Sequence, residues 1–352
     1  MEESERRERL VEWFDAGHRD LPWRRTRDPW AIWVSEIMLQ QTRAASVVPY
    51  WTRFLSRFPT PAALAAAPLD DLLGLWAGLG YYARARNLYR GAQQVVELHG
   101  GVVPRDREAF AALAGVGPYT AGAVLSIAFG LPEPLLDGNV IRVFTRWDRI
   151  GADPKAPATQ ATLWARARAL ADGPVPGTLN QALMELGATL CTPRAPSCLL
   201  CPVRAGCAAA AAGDAELYPR KAAPAVRPRE VYVAGLVVDD AGVWLARRPD
   251  TGLLAGLWEL PAVPGDAPAG LAALGLHAEG EGREITHVFT HRHWTLHTYA
   301  ATGRPSGGDY TDFRRVPLSG LDDAGLTGPA LKALHAWSVT GAPRRRGAGR
   351  HR

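Results

Sequence analysis

Lysine is almost missing from this chain: of 40 basic residues, 3 are lysine and 37 are arginine. A GC-rich coding sequence accounts for such a bias, so it says little about function. Net charge is scarce too. Residues 1–212 carry 23 basic and 20 acidic groups, residues 213–340 carry 12 and 15, and the two imbalances cancel. The overall charge of +5 equals the contribution of the last twelve residues, through Arg344, Arg345, Arg346, Arg350 and Arg352. The body of the protein is therefore not a strongly basic nucleic-acid binder by charge alone. The tail, residues 341–352, reads as a disordered basic end that adds non-specific phosphate affinity.

Long hydrophobic runs are missing as well. The uncharged stretch Ala109–Pro132 is broken by Gly115, Gly117 and Pro118, and Gly130 and Pro132 end it. Its intact part, Tyr119–Phe129, falls short of the roughly 20 residues a membrane span needs. The start, MEESERRERL, lacks the apolar core of a secretory signal. The expectation is a soluble, intracellular protein with no membrane partner. No repeat at a fixed period is found. Cysteine is absent outside residues 191–207, where all four occur. A disulfide framework would scatter its cysteines through a small secreted chain, so this clustering points to a metal or cluster site.

What is present suggests two domains. The chain has 352 residues, 47% hydrophobic and 21% charged, which suits a globular protein and excludes general disorder. Residues 1–212 predict helices. Leu10, Trp13 and Phe14 share one helical face, and Trp30–Gln41, Pro61–Leu79, Tyr119–Phe129 and Leu179–Leu190 continue the pattern. Residues 213–229 hold Pro219, Pro224 and Pro228 among basic residues, a linker composition. Residues 230–340 switch to strands: Val231–Val238 and Val243–Ala246 as a hairpin, then Trp258–Leu260 and Thr286–Thr298, with a closing helix within Gly320–Trp337. The fold class expected is a mainly α first domain and an α+β second domain.

Three features carry chemistry. Cys191, Cys198, Cys201 and Cys207 are spaced C-x6-C-x2-C-x5-C. Several anionic sulfurs brought together need a cation, and zinc or an iron–sulfur cluster could supply it. Gly115 and Gly117 sit in Leu113–Gly122 between two helical segments, a pattern that offers backbone N–H groups to a phosphate. Glu36 lies on an apolar helix beside Trp33, Ile37 and Leu39, where desolvation would raise its pKa. Asp137, in Leu135-Leu136-Asp137-Gly138-Asn139-Val140, lies near a helix end with Asn139 beside it, where it could stay ionised. Two such carboxyl groups suit glycosidic bond cleavage, one as acid and one facing the developing cation.

The helix-hairpin-helix pattern, the following Asp137 and the four-cysteine loop resemble the endonuclease III superfamily of DNA glycosylases. Trp33–Thr42 and Leu79–Arg86 resemble its adenine DNA glycosylase branch. The resemblance implies an enzyme of base excision repair. It would remove adenine mispaired with 8-oxoguanine or guanine in double-stranded DNA, in the cytoplasm and nucleoid-associated in a bacterium, with monomer as the default. It implies a [4Fe–4S] cluster on the four cysteines. It implies that Glu36 protonates adenine at N7 and that Asp137 stabilises the sugar cation, supported by Asn139 and Tyr119. Relatives that also cut the backbone carry a Lys where Tyr119 stands, so this chain resembles the monofunctional enzymes. Arg24, Trp23 and Gln181 match positions around adenine. Gln41, Thr42 and Tyr81 match positions at the 8-oxoguanine, where stacking is worth about 1–3 kcal/mol.

The second domain resembles the family's Nudix-like lesion-recognition domain through Gly256–Pro261. Residues 262–280 lack the Arg-Glu-x-x-Glu-Glu pattern that holds magnesium, so no Nudix hydrolysis is expected. The family's Phe-Ser-His loop stands here as Phe289-Thr290-His291, and the resemblance implies that Thr290 and His291 contact the 8-oxoguanine. His287, His291, His293 and His297 would share one face if Thr286–Thr298 were one continuous strand. A glycosylase for another base, such as thymine opposite guanine, and a non-catalytic lesion binder are the competing readings. The second domain and Gln181 count against the first, and intact Glu36 and Asp137 against the second.

Overall fold

The computed structural model describes residues 1–220, 226–289 and 291–339. Its contacts divide the chain into two units. Residues 1–66 and 87–224 form one; residues 67–86 and those from 225 onward form the other. A single linear boundary after residue 212 would leave 67–86 in the first.

The first unit is helical. Helix α1 spans Glu3–Gly17 and α2 Pro29–Leu39, followed by α3 (Ala44–Arg57) and α4 (Pro61–Ala65). The helical stretch Pro61–Leu79 divides into α4 and, in the second unit, α5 (Leu69–Trp76), which starts after Pro68 with Asp70 and Asp71 in its first turn, as those residues lead one to expect. Pro68 stands between them, and a proline can neither continue a ladder nor follow a helical residue easily. Then come α6 (Ala83–His99), α7 (Arg107–Ala111), α8 (Pro118–Phe129), α9 (Gly138–Trp147), α10 (Pro157–Ala171), α11 (Pro176–Thr189) and α12 (Ala208–Ala212).

Helix α2 begins where Asp28 accepts the Trp30 N–H and Pro29 fills the first turn. Its sequence is apolar on every side, and Trp30 through Met38 are all buried. Trp33 meets Trp30 and Phe110 edge-on, at centroid distances of 5.7 and 5.2 Å. Helix α8 is likewise buried from Thr120 to Ile127. Helices α9 and α11 approach closely at Gly187, where an added Cβ would lie 2.5 Å from Asn139 Cβ. Glycine there lets α11 reach the start of α9.

The second unit holds two sheets. One has the order β5-β1-β7-β6, from β1 (Arg229–Leu236), β5 (Ala262–Pro264), β6 (Leu276–Val288) and β7 (His293–Gly303). The other has β2 (Val238–Asp239), β3 (Gly242–Arg247) and β4 (Trp258–Glu259) in order, with β8 (Asp312–Val316) also on β3. Strands β1 and β7 run parallel; the other pairs are antiparallel. Leu245, Trp258, Trp294, Leu296 and Leu334 lie in the core, the last from α13 (Gly328–Ala336), which Thr327 caps.

The expected strand Thr286–Thr298 is corrected to a hairpin. Val288 pairs with His293, and the Phe289 N–H closes the turn onto Arg292 O at 2.9 Å. Alternation runs through both arms without glycine or proline between them, so the period alone hides the turn. His287 and His293 therefore sit on neighbouring strands, not on one shared strand face. Between Pro268 and Leu274 the chain forms a short 3-10 helix. Among the described residues no helix is long and apolar enough to cross a membrane.

Candidate active site

Glu36 is held at the centre of the first unit. The all-apolar α2 leaves its carboxyl nowhere to go but inward, and the residue is 3% exposed. Tyr119, the second residue of α8, donates its hydroxyl to Glu36 Oε2 at 2.5 Å. Burial pushes the Glu36 carboxyl up to about 7; the Tyr119 bond lowers it, Asp137 raises it, and Arg24 lowers it. Tyr119 is itself pushed well above the usual phenol range, chiefly by burial and then by Glu36 and Asp137. Neither group ionises cheaply here.

Asp137 caps α9. Its Oδ1 accepts the Val140 N–H at 2.7 Å and its Oδ2 accepts Asn139 Nδ2 at 3.0 Å. Burial raises its pKa, while those bonds and Arg142 oppose the rise. Both oxygens thus act as acceptors, the pattern of a carboxylate at a helix N-terminus. Asn139 is oriented in turn, because its Oδ1 accepts Arg142 Nη2 at 2.7 Å. Capping and interaction with Glu36 are features of the same side chain.

Helix α11 supplies another wall. Met184 Sδ lies 3.5 Å from the Tyr119 hydroxyl, and Gln181 is buried with Nε2 3.3 Å from Gly177 O. Glu185, one residue on, was not singled out in the sequence. It accepts Arg19 Nε at 2.8 Å and Nη2 at 2.7 Å, and Arg24 Nη2 at 2.8 Å. Burial would raise its pKa, but the bonds from Arg19 and Arg24 outweigh that and hold it near 2. Arg24 also lies 5.0 Å over the Phe14 ring, and Trp23 packs edge-on to Trp51. The signal for Glu185 was its four-residue spacing from Gln181 on one helix.

Glu185→Gln leaves buried Arg24 without its carboxylate, and is expected to cost about 2–3 kcal/mol, reduced because Arg19 is half exposed. The depressed pKa means this stabilisation is full above about pH 4.5 and fades as pH falls toward 2. Urea unfolding at pH 7 and pH 3 checks it: the gap between parent and variant should narrow at pH 3.

At the helical hairpin between α7 and α8, Gly115 has φ +78 and an added Cβ would strike Asn87. Gly117 needs no such freedom. It is the N-cap of α8 with φ −93, ordinary extended backbone. Gln41 has φ +57, and Thr42 Oγ1 lies 3.3 Å from Gln40 O, whose Nε2 approaches Thr120 Oγ1 at 3.4 Å. Tyr81 and His291 belong to the second unit, and both are exposed. Thr290 lies outside the described residues.

The cysteines are reduced and partly buried. Burial, with smaller contributions from the other three sulfurs, pushes the Cys201 thiol up to about 12. Buried Arg146 donates from Nη1 to Cys191 Sγ at 3.2 Å and to Thr192 O at 2.8 Å. Arg142 Nε donates to Cys191 O at 2.7 Å. Backbone N–H groups of Val203, Ala209 and Ala210 favour the anionic sulfurs of Cys201 and Cys207. Four clustered thiols, three of them met by N–H donors, are a donor set that suits an iron–sulfur cluster. Among the described residues, no three potential ligands are placed to hold a single metal ion. Arg194 and Arg204 are exposed beside this loop, as are Leu199 and Leu200.

Residues 34–169 match the family model described as HhH-GPD superfamily base excision DNA repair protein, and residues 232–336 match a NUDIX domain. The chain is 43% identical to the adenine DNA glycosylase of Rattus norvegicus over 310 residues, 73% of this chain and 60% of that protein. It thus spans less than two thirds of the rat protein's length. It is 31% identical to the adenine DNA glycosylase of Schizosaccharomyces pombe, over 94% of this chain and 88% of that one. Among solved structures, a thermostable thymine-DNA glycosylase is similar at TM-score 0.55 and 30% identity, covering 60% of this chain and 97% of that one.

Proposed function

Because this chain belongs to the adenine DNA glycosylase family, we propose that it hydrolyses the N-glycosidic bond of adenine mispaired with 8-oxoguanine or guanine in duplex DNA, leaving an abasic site. The carrying observation is the buried Glu36–Tyr119 pair, with Asp137 fixed at the α9 cap. Glu36, protonated near neutrality, delivers a proton to adenine N7 and turns a poor anionic leaving group into a neutral one. Asp137, held by Val140 and Asn139, faces the oxocarbenium-like sugar and orients water. Burial keeps the Glu36 proton in place, and Tyr119, donating to Oε2, orients the carboxyl. A phenol forms no Schiff base, so the strand stays intact.

Base extrusion opens a gap in the stack. Gln41, Thr42, Tyr81 and His291 serve at the 8-oxoguanine side; Trp23, Arg24 and Gln181 line the adenine side. The helical fold is shared with a thymine-DNA glycosylase, so base choice rests on these side chains and not on the scaffold.

Cys191, Cys198, Cys201 and Cys207 would hold a [4Fe–4S] cluster. Bound there, the cluster supplies structural support to the loop that carries Arg194 and Arg204 toward phosphate. Metal analysis should find about four irons per chain. Removing them should speed amide exchange through residues 191–212 and weaken duplex binding. Zinc without iron would contradict the assignment.

The deciding experiment is single-turnover base release with adenine opposite 8-oxoguanine or thymine, half of each sample treated with alkali. Breaks only after alkali, and only with the lesion, are expected. Breaks without alkali would reveal a lyase. Lesion-selective binding with no release would make it a binding protein.

A further inference from the structure

The turn that carries Tyr81 is held by a buried cation. Tyr81 has φ +51, left-handed backbone that is costly for a residue with a Cβ, and the residue is 46% exposed. Two donors converge on the carbonyl just before it. Trp76 Nε1 donates to Gly80 O at 3.0 Å and Arg84 Nη2 donates to the same oxygen at 3.1 Å. Arg84 Nη2 also lies 3.4 Å from Leu79 O, and the Arg84 backbone N–H donates to Tyr81 O at 2.8 Å. The guanidinium sits against two rings, its Cζ 5.2 Å from the Tyr81 centroid and 5.7 Å from that of Trp76.

Arg84 is buried, and desolvation brings its pKa down to about 10, which leaves it charged at neutral pH. It fixes both faces of the problem at once. Its planar fork ties the carbonyls on the N-terminal side of Tyr81, and its charge lies against the ring that emerges beyond them. A residue in strained backbone keeps that conformation only where its surroundings over-determine it.

We propose that Arg84 is a positioning residue for Tyr81: it holds the Leu79–Tyr82 turn in the shape that presents the Tyr81 ring for stacking on a base, and so sets the preference for the lesion mispair without taking part in bond cleavage. This rests on the reading of Tyr81 as a stacking residue. Arg84 acts through the turn, so its loss changes how well the lesion duplex is held and not how fast the bound base leaves.

The test compares Arg84→Met, Tyr81→Ala and the double variant in the full, cluster-containing chain. Binding is measured on duplexes with an uncleavable 2′-fluoro adenosine opposite 8-oxoguanine or thymine, and release is measured at saturating protein on cleavable adenine opposite 8-oxoguanine. Arg84→Met should lower the binding preference for 8-oxoguanine about tenfold. Its single-turnover rate should stay within about twofold of the parent. Adding Arg84→Met to Tyr81→Ala should change the preference by less than about twofold, since the two act as one unit. Thermal unfolding is followed in parallel. Should Arg84→Met fail to fold, Trp76→Phe removes the other Gly80 donor and should lose preference about threefold. An unchanged preference in the folded variant overturns the proposal, as does additivity with Tyr81→Ala or an equal loss on both duplexes. A parent-like preference in Tyr81→Ala overturns the stacking reading and this proposal with it. A low preference there with a parent-like Arg84→Met overturns Arg84's role alone.

Discussion

Replacing Glu36 by Gln should lower adenine release about 10³-fold or more while leaving the protein folded, in line with the usual size of general-acid catalysis. The amide keeps the shape and still accepts the Tyr119 hydroxyl, so the bond now 2.5 Å long is retained in kind. What is lost is the proton. Stability should move the opposite way. The Glu36 pKa is raised from an ordinary 4.5 to about 7, so its contribution to stability is lost as pH rises from about 4.5 through 7. A carboxyl with a raised folded pKa stabilises fully below about pH 4.5, and that contribution is gone above about pH 7. Gln carries no such penalty, and at pH 8 the variant should gain about 2–4 kcal/mol over the parent. Release rates and urea unfolding at pH 8 check both halves. A dead enzyme that is also unfolded would leave Glu36 a packing residue.

Asp137→Asn should cost about 10²–10³-fold in release, the scale of removing one preorganised electrostatic group. Asparagine is as good an N-cap as aspartate. Its Oδ1 can accept the Val140 N–H that Asp137 accepts now at 2.7 Å. Melting should therefore change little, while the developing sugar cation loses its anion. Asp137→Ala removes cap and charge together and should add about 1 kcal/mol of destabilisation. Parent-like release in Asp137→Asn, with melting lowered in both, would reduce Asp137 to a cap.

The residues of this candidate site stand out in the sequence by chemical contrast, but the family resemblance is what singles out Glu36 and Asp137. Glu36 is the one carboxyl in a run of tryptophan, isoleucine, valine and methionine, and its burial follows from that run. Asp137 before Gly138 reads as a cap, and four cysteines within 17 residues read as a ligand set. Glu185 was missed because its partners, Arg19 and Arg24, lie more than 160 positions away. Arg142 and Arg146 were missed for the same reason: their bonds to Gly187, Cys191 and Tyr218 are tertiary. Strand β8 carries Arg314 and Arg315 in a short charged run that no alternation marks. The β6–β7 turn is not marked by the alternation, because neither arm ends on a turn-forming residue; it is flagged only by the loop resemblance at Phe289–His291. The grouping of residues 67–86 with the second unit depends on packing such as Tyr82 Oη against Leu326 O, at 3.4 Å, which no linear pattern encodes.

The central claim is that a buried, protonated Glu36 drives base release, and the pH dependence of the single-turnover rate tests it most directly. The groups bearing on Glu36 are Tyr119 from α8, Asp137 from the α9 cap and Arg24 before α2. Asp137 raises the Glu36 pKa, the Tyr119 bond and Arg24 lower it, and burial outweighs them all. With adenine opposite 8-oxoguanine and saturating protein, the rate should fall about tenfold for each pH unit above a midpoint near 7, and this limb should vanish in the residual activity of Glu36→Gln. A rate that stays level from pH 6 to 9, or a descending limb that survives in Glu36→Gln, would contradict it.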